Sequence, residues 1–236
     1  LIRGNHDPAD FYDEYFGVNS TKTGYASHIE DYYINSSNSV HYFTAGNLDY
    51  MVVTLDFGAG DPVLNWASEV ISEHPHHNVI IVTHAYMDRD GTTLGNSDAG
   101  ALKTNGTNDP LYNTAMGATA NNGDHMWDKL ISQHENIVLV LSGHIGTEDV
   151  ICSQWKGVHG NIVTNILIDP QDMDTLYKSQ GGVGAIAMFY FSNGGKTVTY
   201  EYYSTVKDAY FGSQNQNKTF TLDVVGQSNT EQTTPS

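Results

Sequence analysis

Two unbroken apolar runs dominate the hydrophobic pattern of the chain. They cover residues 78–83 and 137–142, and each leads into a histidine, His84 and His144. Runs of β-branched and aliphatic residues this short are typical of strands that are buried on both faces of a central sheet. Because ligands of such sheets bind beyond the carboxyl ends of the strands, the pattern places both histidines on the functional edge of an α/β fold.

Three helices are predicted around these strands. The first covers residues 8–16, from a proline suited to a first helical turn to the residue before a glycine. The second covers residues 61–73, where apolar positions recur with the helical period and Asp61 is the predicted N-cap. The third runs from its predicted cap, Asp124, to about residue 134.

Further strands are predicted from alternation and from turn residues. A hairpin is predicted before the second helix, with one strand at residues 40–45 and the other at 51–57. After His144 the chain is rich in strands, and Gly194 lies in a predicted hairpin turn between two of them. Four strands are predicted there: 161–168, 184–191, 197–203 and 219–225.

The stretch between His84 and the third helix has almost no apolar periodicity. A loop this long is either functional, as a lid or a substrate-selecting segment, or a decorated surface loop, and both interpretations stay open. Tyr86 is predicted to be the residue of this loop nearest to the proposed centre and is a candidate for substrate contact. His125, in the first turn of the third helix, is a second candidate, with a simple exposed position as the alternative.

Residues 4–7 read Gly-Asn-His-Asp, after an apolar pair that predicts the end of a buried strand. Gly4 is predicted to let the backbone turn sharply as it leaves that strand. Asn5 offers a hard carbonyl oxygen, His6 can hold a proton near neutral pH, and Asp7 can orient that imidazole. Three adjacent polar side chains bury little, which favours a reaction centre over a packing unit.

Gly-Asn-His-Asp, followed by Thr83-His84 and by residues 143–146 (Gly-His-Ile-Gly), resembles the motif series of the calcineurin-like metallophosphoesterases. The resemblance extends over roughly residues 1–203. It implies a four-layer α/β/β/α sandwich in which Asn5, His84 and His144 ligate a metal of a two-metal centre. It also implies that His6 donates a proton to the leaving oxygen and that Asp7 holds the His6 ring and favours its charged form.

Two departures from the family pattern change this expectation. Gly146 stands where the family usually places a second histidine, so the other metal site should be weaker, use a replacement ligand or stay empty. Glu148 and Asp149 are possible substitutes, although ordinary surface carboxylates are the simpler interpretation. The family's early Asp-x-His and Gly-Asp-x-x-Asp motifs are absent, and the chain is therefore interpreted as an N-terminally truncated form of the fold.

The implied chemistry is hydrolysis of a phosphomonoester or phosphodiester by a metal-activated water. The expected cofactors are two divalent metal ions, and oxygen and imidazole ligands suit Mn²⁺, Fe or Zn²⁺. Residues 1–226 are predicted to form the metallophosphoesterase domain, and the polar residues 227–236 a linker.

The amino-acid composition limits the classes of molecule that the protein is expected to bind. The chain has 27 acidic and 10 basic residues and a net charge of −17, which argues against nucleic acid because no basic track could neutralise a phosphate backbone. The expected substrate is a small or surface-attached phosphate ester. No apolar run approaches the ~20 residues needed to span a bilayer. One cysteine, Cys152, excludes internal disulfides and thiolate clusters.

Few basic residues and abundant Asn, Thr, Gly and Tyr are typical of a bacterial-type extracellular or cell-surface protein. Two other functions stay open at this point. One is a non-catalytic module of a larger secreted protein that keeps the fold without the chemistry. The other is a metal-dependent hydrolase or binding domain for sugar-linked substrates.

Overall fold

The computed structural model describes residues 1–95, 110, 119–147, 149–170, 184–211 and 217–226. Three α-helices lie in these ranges: α1 Ala9–Phe16, α2 Asp61–Glu73 and α3 Gly123–Lys129. The strands are β1 Asp31–Tyr33, β2 Asn35–Ala45, β3 Leu48–Leu55, β4 Asn78–Thr83, β5 Ile137–Ser142, β6 Ile151–Lys156, β7 Ile162–Leu167, β8 Ala185–Ser192, β9 Thr197–Ser204, β10 Ala209–Tyr210 and β11 Asn217–Thr221.

The larger sheet is mixed, with the strand order β1-β2-β3-β4-β5-β7-β6. Its centre is parallel, since β3, β4, β5 and β7 run in one direction, whereas β1, β2 and β6 are antiparallel to their neighbours. The two predicted apolar runs are β4 and β5, and only Val82 and Leu141 in them are not fully buried. The α/β class predicted from these runs is confirmed.

The two faces of the larger sheet are covered differently. Helices α2 and α3 pack on one face, where Leu64, Ile71 and Met126 join the core with the inward residues of the strands. The smaller sheet, in which β9 pairs with β8 on one side and with β10 and β11 on the other, covers the opposite face. Tyr50 and Tyr200 meet in the core between the two sheets. The described residues therefore form a helical layer and two stacked sheets, and no second helical layer is present among them.

Several predicted boundaries need correction. The N-cap of α2 is Gly60, and the Asp61 carboxylate instead accepts hydrogen bonds from Lys129 and Asn121, at 2.7 and 3.0 Å. The third helix is capped by Asn122, not by Asp124, and α3 stops at Lys129, before a 3-10 turn.

The apolar pair before residue 4 is not the end of a strand. Leu1 is exposed, and its carbonyl oxygen accepts hydrogen bonds from the hydroxyl groups of Tyr12 and Tyr25, at 2.9 and 3.3 Å, not from a neighbouring strand.

Two predicted segments fall largely or wholly outside the residues that the structure describes. Most of the predicted long loop and the proposed linker 227–236 lie outside the described residues. Within the part of the chain that the structure describes, no helix has the length and apolar character needed to cross a bilayer.

Candidate metal centre

The carboxyl ends of four strands meet at one edge of the larger sheet. The strand register pairs Leu55 of β3 with Thr83 of β4, and Ser142 of β5 with Leu167 of β7. The next residues along the chain therefore leave the sheet side by side. His84 directly follows β4. Its carbonyl oxygen accepts a hydrogen bond of 2.9 Å from the backbone N–H of Gly143, the residue before His144. The two predicted histidines are thus held together by backbone geometry.

Three predicted side chains converge above this edge. The Nε2 atom of His84 lies 2.9 Å from Oδ1 of Asn5 and 3.1 Å from Nδ1 of His144. The ring centres of His84 and His144 are 4.8 Å apart, with an interplanar angle of 61°. Asn5 comes from a segment 79 residues away from His84 in sequence, so only the folded chain brings this group together.

The inner wall of the group is apolar. Phe57, which is buried, lies with its ring centre 5.6 Å from that of His84 and 5.2 Å from that of His144. Burial lowers the pKa of His84 to about 4, and the positive charge that His144 can carry acts in the same direction. His84 is therefore a neutral imidazole near neutral pH, which is the form that binds metals.

The backbone at His144 is strained. Its φ angle is +70°, in the left-handed region that non-glycine residues seldom adopt. This conformation costs roughly 1–2 kcal/mol. Strain of this kind persists only when surrounding contacts hold it, and it is concentrated at functional sites.

The motif of residues 4–7 forms a tight turn. The N–H of Asp7 donates to the carbonyl oxygen of Gly4 at 3.2 Å, and the Asp7 carboxylate accepts a hydrogen bond of 2.8 Å from the Gly4 N–H. Asp7 therefore bonds to Gly4, whereas the resemblance implied a bond to His6. The His6 ring is exposed to solvent.

Gly4 is required for a different reason from the one predicted. It is not among the glycines with positive φ, so the turn alone does not demand glycine here. A Cβ atom at this position would lie 3.1 Å from Cε1 and 3.2 Å from Nε2 of His84. Glycine therefore leaves room for the His84 ring against the backbone.

Sequence reasoning missed an ion pair beside this turn. Arg3 donates from its guanidinium to the Asp56 carboxylate at 2.7 Å, and both side chains are largely buried. Asp56 directly follows β3, and its N–H donates to Oδ1 of Asn38 at 2.9 Å. The pair fastens the segment before Gly4 to the carboxyl edge of the sheet. Its signal in the sequence was a basic residue beside the motif in a strongly acidic chain.

The donor chemistry of the converging group fits a metal ion. A single hydrogen on Nε2 of His84 can serve only one of its two neighbours, Asn5 Oδ1 or His144 Nδ1, at full strength. In the tautomer without that hydrogen, the Nε2 lone pair faces Oδ1 of Asn5, which is also an electron-pair donor, and a cation would satisfy both atoms. For metal–ligand bonds of about 2.1 Å, ligands at right angles lie about 3.0 Å apart, close to the observed contacts. Among the described residues no group of three or more His, Cys, Asp or Glu is placed to hold a metal, and here the third donor is an amide.

The second metal site is less complete. Gly146 offers no ligand, as its sequence implies. The predicted substitute Glu148 lies outside the described residues, and the backbone carbonyl oxygen of Asp149 accepts a hydrogen bond of 2.9 Å from the Thr147 hydroxyl.

Of the two suggested substrate contacts, Tyr86 is a core residue and His125 lies on α3. Tyr86 is completely buried, and its hydroxyl donates to Oδ1 of Asn165 at 3.1 Å, so it is a core residue that a substrate cannot reach. His125 lies in the first turn of α3, close enough to Asp61 to influence the pKa of that carboxylate. Its Nδ1 atom is buried and has no hydrogen-bond partner among the residues that the structure describes.

No protein-family model matches the chain. The chain is similar to the uncharacterized protein YvnB of Bacillus subtilis (strain 168), with 22% identity over 219 residues. The alignment covers 88% of this chain and 14% of that protein. A segment of this kind therefore occurs within a much longer protein.

Proposed function

We propose that this chain is the metal-binding part of a phosphoesterase that hydrolyses a phosphomonoester or phosphodiester with a metal-activated water. The observation that supports it most directly is the convergence of Asn5, His84 and His144 at the carboxyl edge of the sheet. We also propose that the helical layer and the two stacked sheets belong to the four-layer α/β/β/α sandwich of the calcineurin-like metallophosphoesterases.

The residues of the chain divide the work as follows. Asn5, His84 and His144 would hold a divalent cation of the Mn²⁺, Fe or Zn²⁺ type. When bound, two such cations supply a water of lowered pKa and positive charge for the phosphoryl oxygens. His6, which is exposed next to Asn5 in the chain, would give a proton to the leaving oxygen. Asp7 fixes the turn that carries both Asn5 and His6.

The charge of the protein restricts the substrate. With a net charge of −17, the protein repels long polyanions, so a small or surface-attached phosphate ester is the proposed substrate. An extracellular or cell-surface location accords with this composition. The rival proposal is a non-catalytic module, in which Gly146 marks the loss of the second metal.

Metal content and turnover of the full-length protein separate the two proposals. We expect bound metal and turnover of a chromogenic phosphodiester, both removed by a chelator and restored by Mn²⁺ or Zn²⁺. His84→Ala should lower turnover by more than about 100-fold, since even indirect changes at metal ligands cost about 10–100-fold. His76→Ala, at an exposed histidine, is the matched control.

Gly146→His tests the second site. Metal content that rises from one to two ions per chain in this variant would identify Gly146 as the cause of a weak site. Absence of bound metal in the full-length protein, or equal turnover by the His84 and His76 variants, would contradict the enzyme proposal.

A further inference from the structure

A cavity of about 470 Å³ opens on the helical side of the larger sheet. It lies between α3, β6 and the loop that follows Tyr86, and its described lining residues are Thr92, Thr93, Asp124, Trp127, Asp128 and Trp155. The volume lies within the range of about 300–1,000 Å³ that is typical of small-molecule sites. None of these residues belongs to the proposed metal centre.

The cavity is separate from that centre. Trp155 pairs with Val163 in the register of β6 and β7, whereas Ile151 pairs with Leu167 at the carboxyl edge. Four residues of strand correspond to about 13 Å, so the Trp155 backbone lies about that far from the edge that carries the histidines. Trp155 also packs with the helix-side core, on the face opposite the smaller sheet.

Two tryptophans form one corner of the cavity. The rings of Trp127 and Trp155 are 5.3 Å apart with an interplanar angle of 89°. Both side chains are partly exposed, although an indole ring gains most by complete burial. Both indoles line the cavity, and the electron-rich faces of such rings are what cages for quaternary ammonium ions use.

Carboxylates supply the rest of the recognition. Asp124 and Asp128 lie one helical turn apart on α3 and both line the cavity. Asp124 accepts a hydrogen bond from the Thr93 hydroxyl, which fixes one carboxylate oxygen and leaves the other available. None of the described lining residues is basic, so the local potential is negative and opposes an anion such as phosphate.

From this combination we propose that the cavity binds the alkylammonium group of a small organic cation. The indole corner attracts the positive charge through its ring faces, and the two aspartates add direct charge complementarity. A neutral sugar would gain only stacking and hydroxyl hydrogen bonds from the same walls and nothing from the two negative charges. The proposal does not depend on the phosphoesterase proposal, because binding here requires no metal.

Choline, titrated into the protein at constant ionic strength, is the test ligand. The readout is the indole N–H resonances of the three tryptophans, with Trp66 on α2 as the internal reference because it packs against Tyr33 away from the cavity. We expect saturable shifts of Trp127 and Trp155 with a Kd of about 1 mM, and no shift of Trp66. The neutral isostere 3,3-dimethylbutan-1-ol should bind about tenfold more weakly.

Two variants test the walls. Asp128→Asn, at an exposed position that should not affect folding, should weaken choline on the order of fivefold. Trp127→Leu should abolish saturation, and Trp127→Tyr should retain part of it because the ring face is kept.

Three outcomes would overturn the proposal. They are equal binding of choline and its isostere, shifts produced by methyl glucoside but not by choline, and an unchanged choline affinity in Asp128→Asn. Lack of saturation by about 50 mM choline in the wild-type protein would also count against it.

Discussion

Gly4→Ala is the most direct test of how the candidate metal centre is built. The new methyl group would lie 3.1 Å from Cε1 and 3.2 Å from Nε2 of His84, and 3.3 Å from Oδ2 of Asp7. Carbon atoms in favourable contact are about 3.5–4.0 Å apart, so the His84 ring must move by a few tenths of an ångström. That movement changes the position of Nε2 relative to Asn5 and His144.

The loss of stability in Gly4→Ala follows from the contacts of the new methyl group that are too close. Overpacking in a dense core costs about 1–3 kcal/mol, and this site is only partly buried, so we expect about 1 kcal/mol. For a domain of this size the melting temperature should fall by about 2–4 °C. Metal affinity should fall further, by about 10–100-fold, because a displaced ligand loses its alignment.

Gly60→Ala is the matched control. Its methyl group would also meet an oxygen at 3.1 Å, the carbonyl of Thr119, but it lies at the start of α2, outside the ligand group. Both variants should lose similar stability in denaturant unfolding, and only Gly4→Ala should lose metal affinity in calorimetric titration. The His84 Cε1–H resonance of the metal-free protein should move in Gly4→Ala alone. Wild-type metal affinity and an unmoved resonance in that variant would refute this account of Gly4.

Three further predictions concern stability. In chelator-treated protein, His84 has a pKa lowered from 6.5 to about 4, so the unfolded chain binds more protons in that window and stability falls as the pH is lowered through it. Between about pH 7.5 and 4, the free energy of unfolding should fall by about 3 kcal/mol less in His84→Gln than in the wild-type protein, measured by denaturant unfolding. Equal losses in the two proteins would contradict the burial of the ring. Asn165→Leu should cost about 1–3 kcal/mol by leaving the Tyr86 hydroxyl unpaired, and adding Tyr86→Phe should recover part of that cost in a double-mutant cycle. Gly46→Ala should lower the melting temperature far more than Gly194→Ala. Both glycines have positive φ, but only at Gly46 would the methyl group meet backbone atoms, at 2.3 Å. Equal effects would show that the backbone moves aside without cost at Gly46.

The sequence pattern predicted those parts of the fold that depend on neighbouring residues. β4 and β5 were recognisable because both faces of each strand are buried, which leaves unbroken apolar runs. The convergence of His84 and His144 followed from the same runs, because parallel strands end at a common edge. The helix at residues 61–73 was predicted to within one residue of its observed start, since its apolar positions follow one helical stripe.

Other features depend on contacts that no local pattern records. The ion pair of Arg3 and Asp56 joins residues 53 positions apart, and only the packed sheet edge brings them together. The need for glycine at position 4 arises from the ring of His84, whereas the sequence pointed to the turn. Tyr86 follows His84 closely in sequence but turns into the core, because Asn165 offers its hydroxyl a buried partner.

The contacts of the ligand group bear on the choice between an enzyme and an inert module. Without a metal, Asn5 and His144 share the single hydrogen that Nε2 of His84 can carry, and His144 is held at a φ of +70°. The backbone strain lowers stability, and local rules broken without a compensating gain are expected at functional sites. A cation held by the three donors would supply that gain, because it satisfies all three at once. A module that had lost its metal would have no such compensation, and the apolar or hydrogen-bonded substitutions that relieve the strain would each stabilise it.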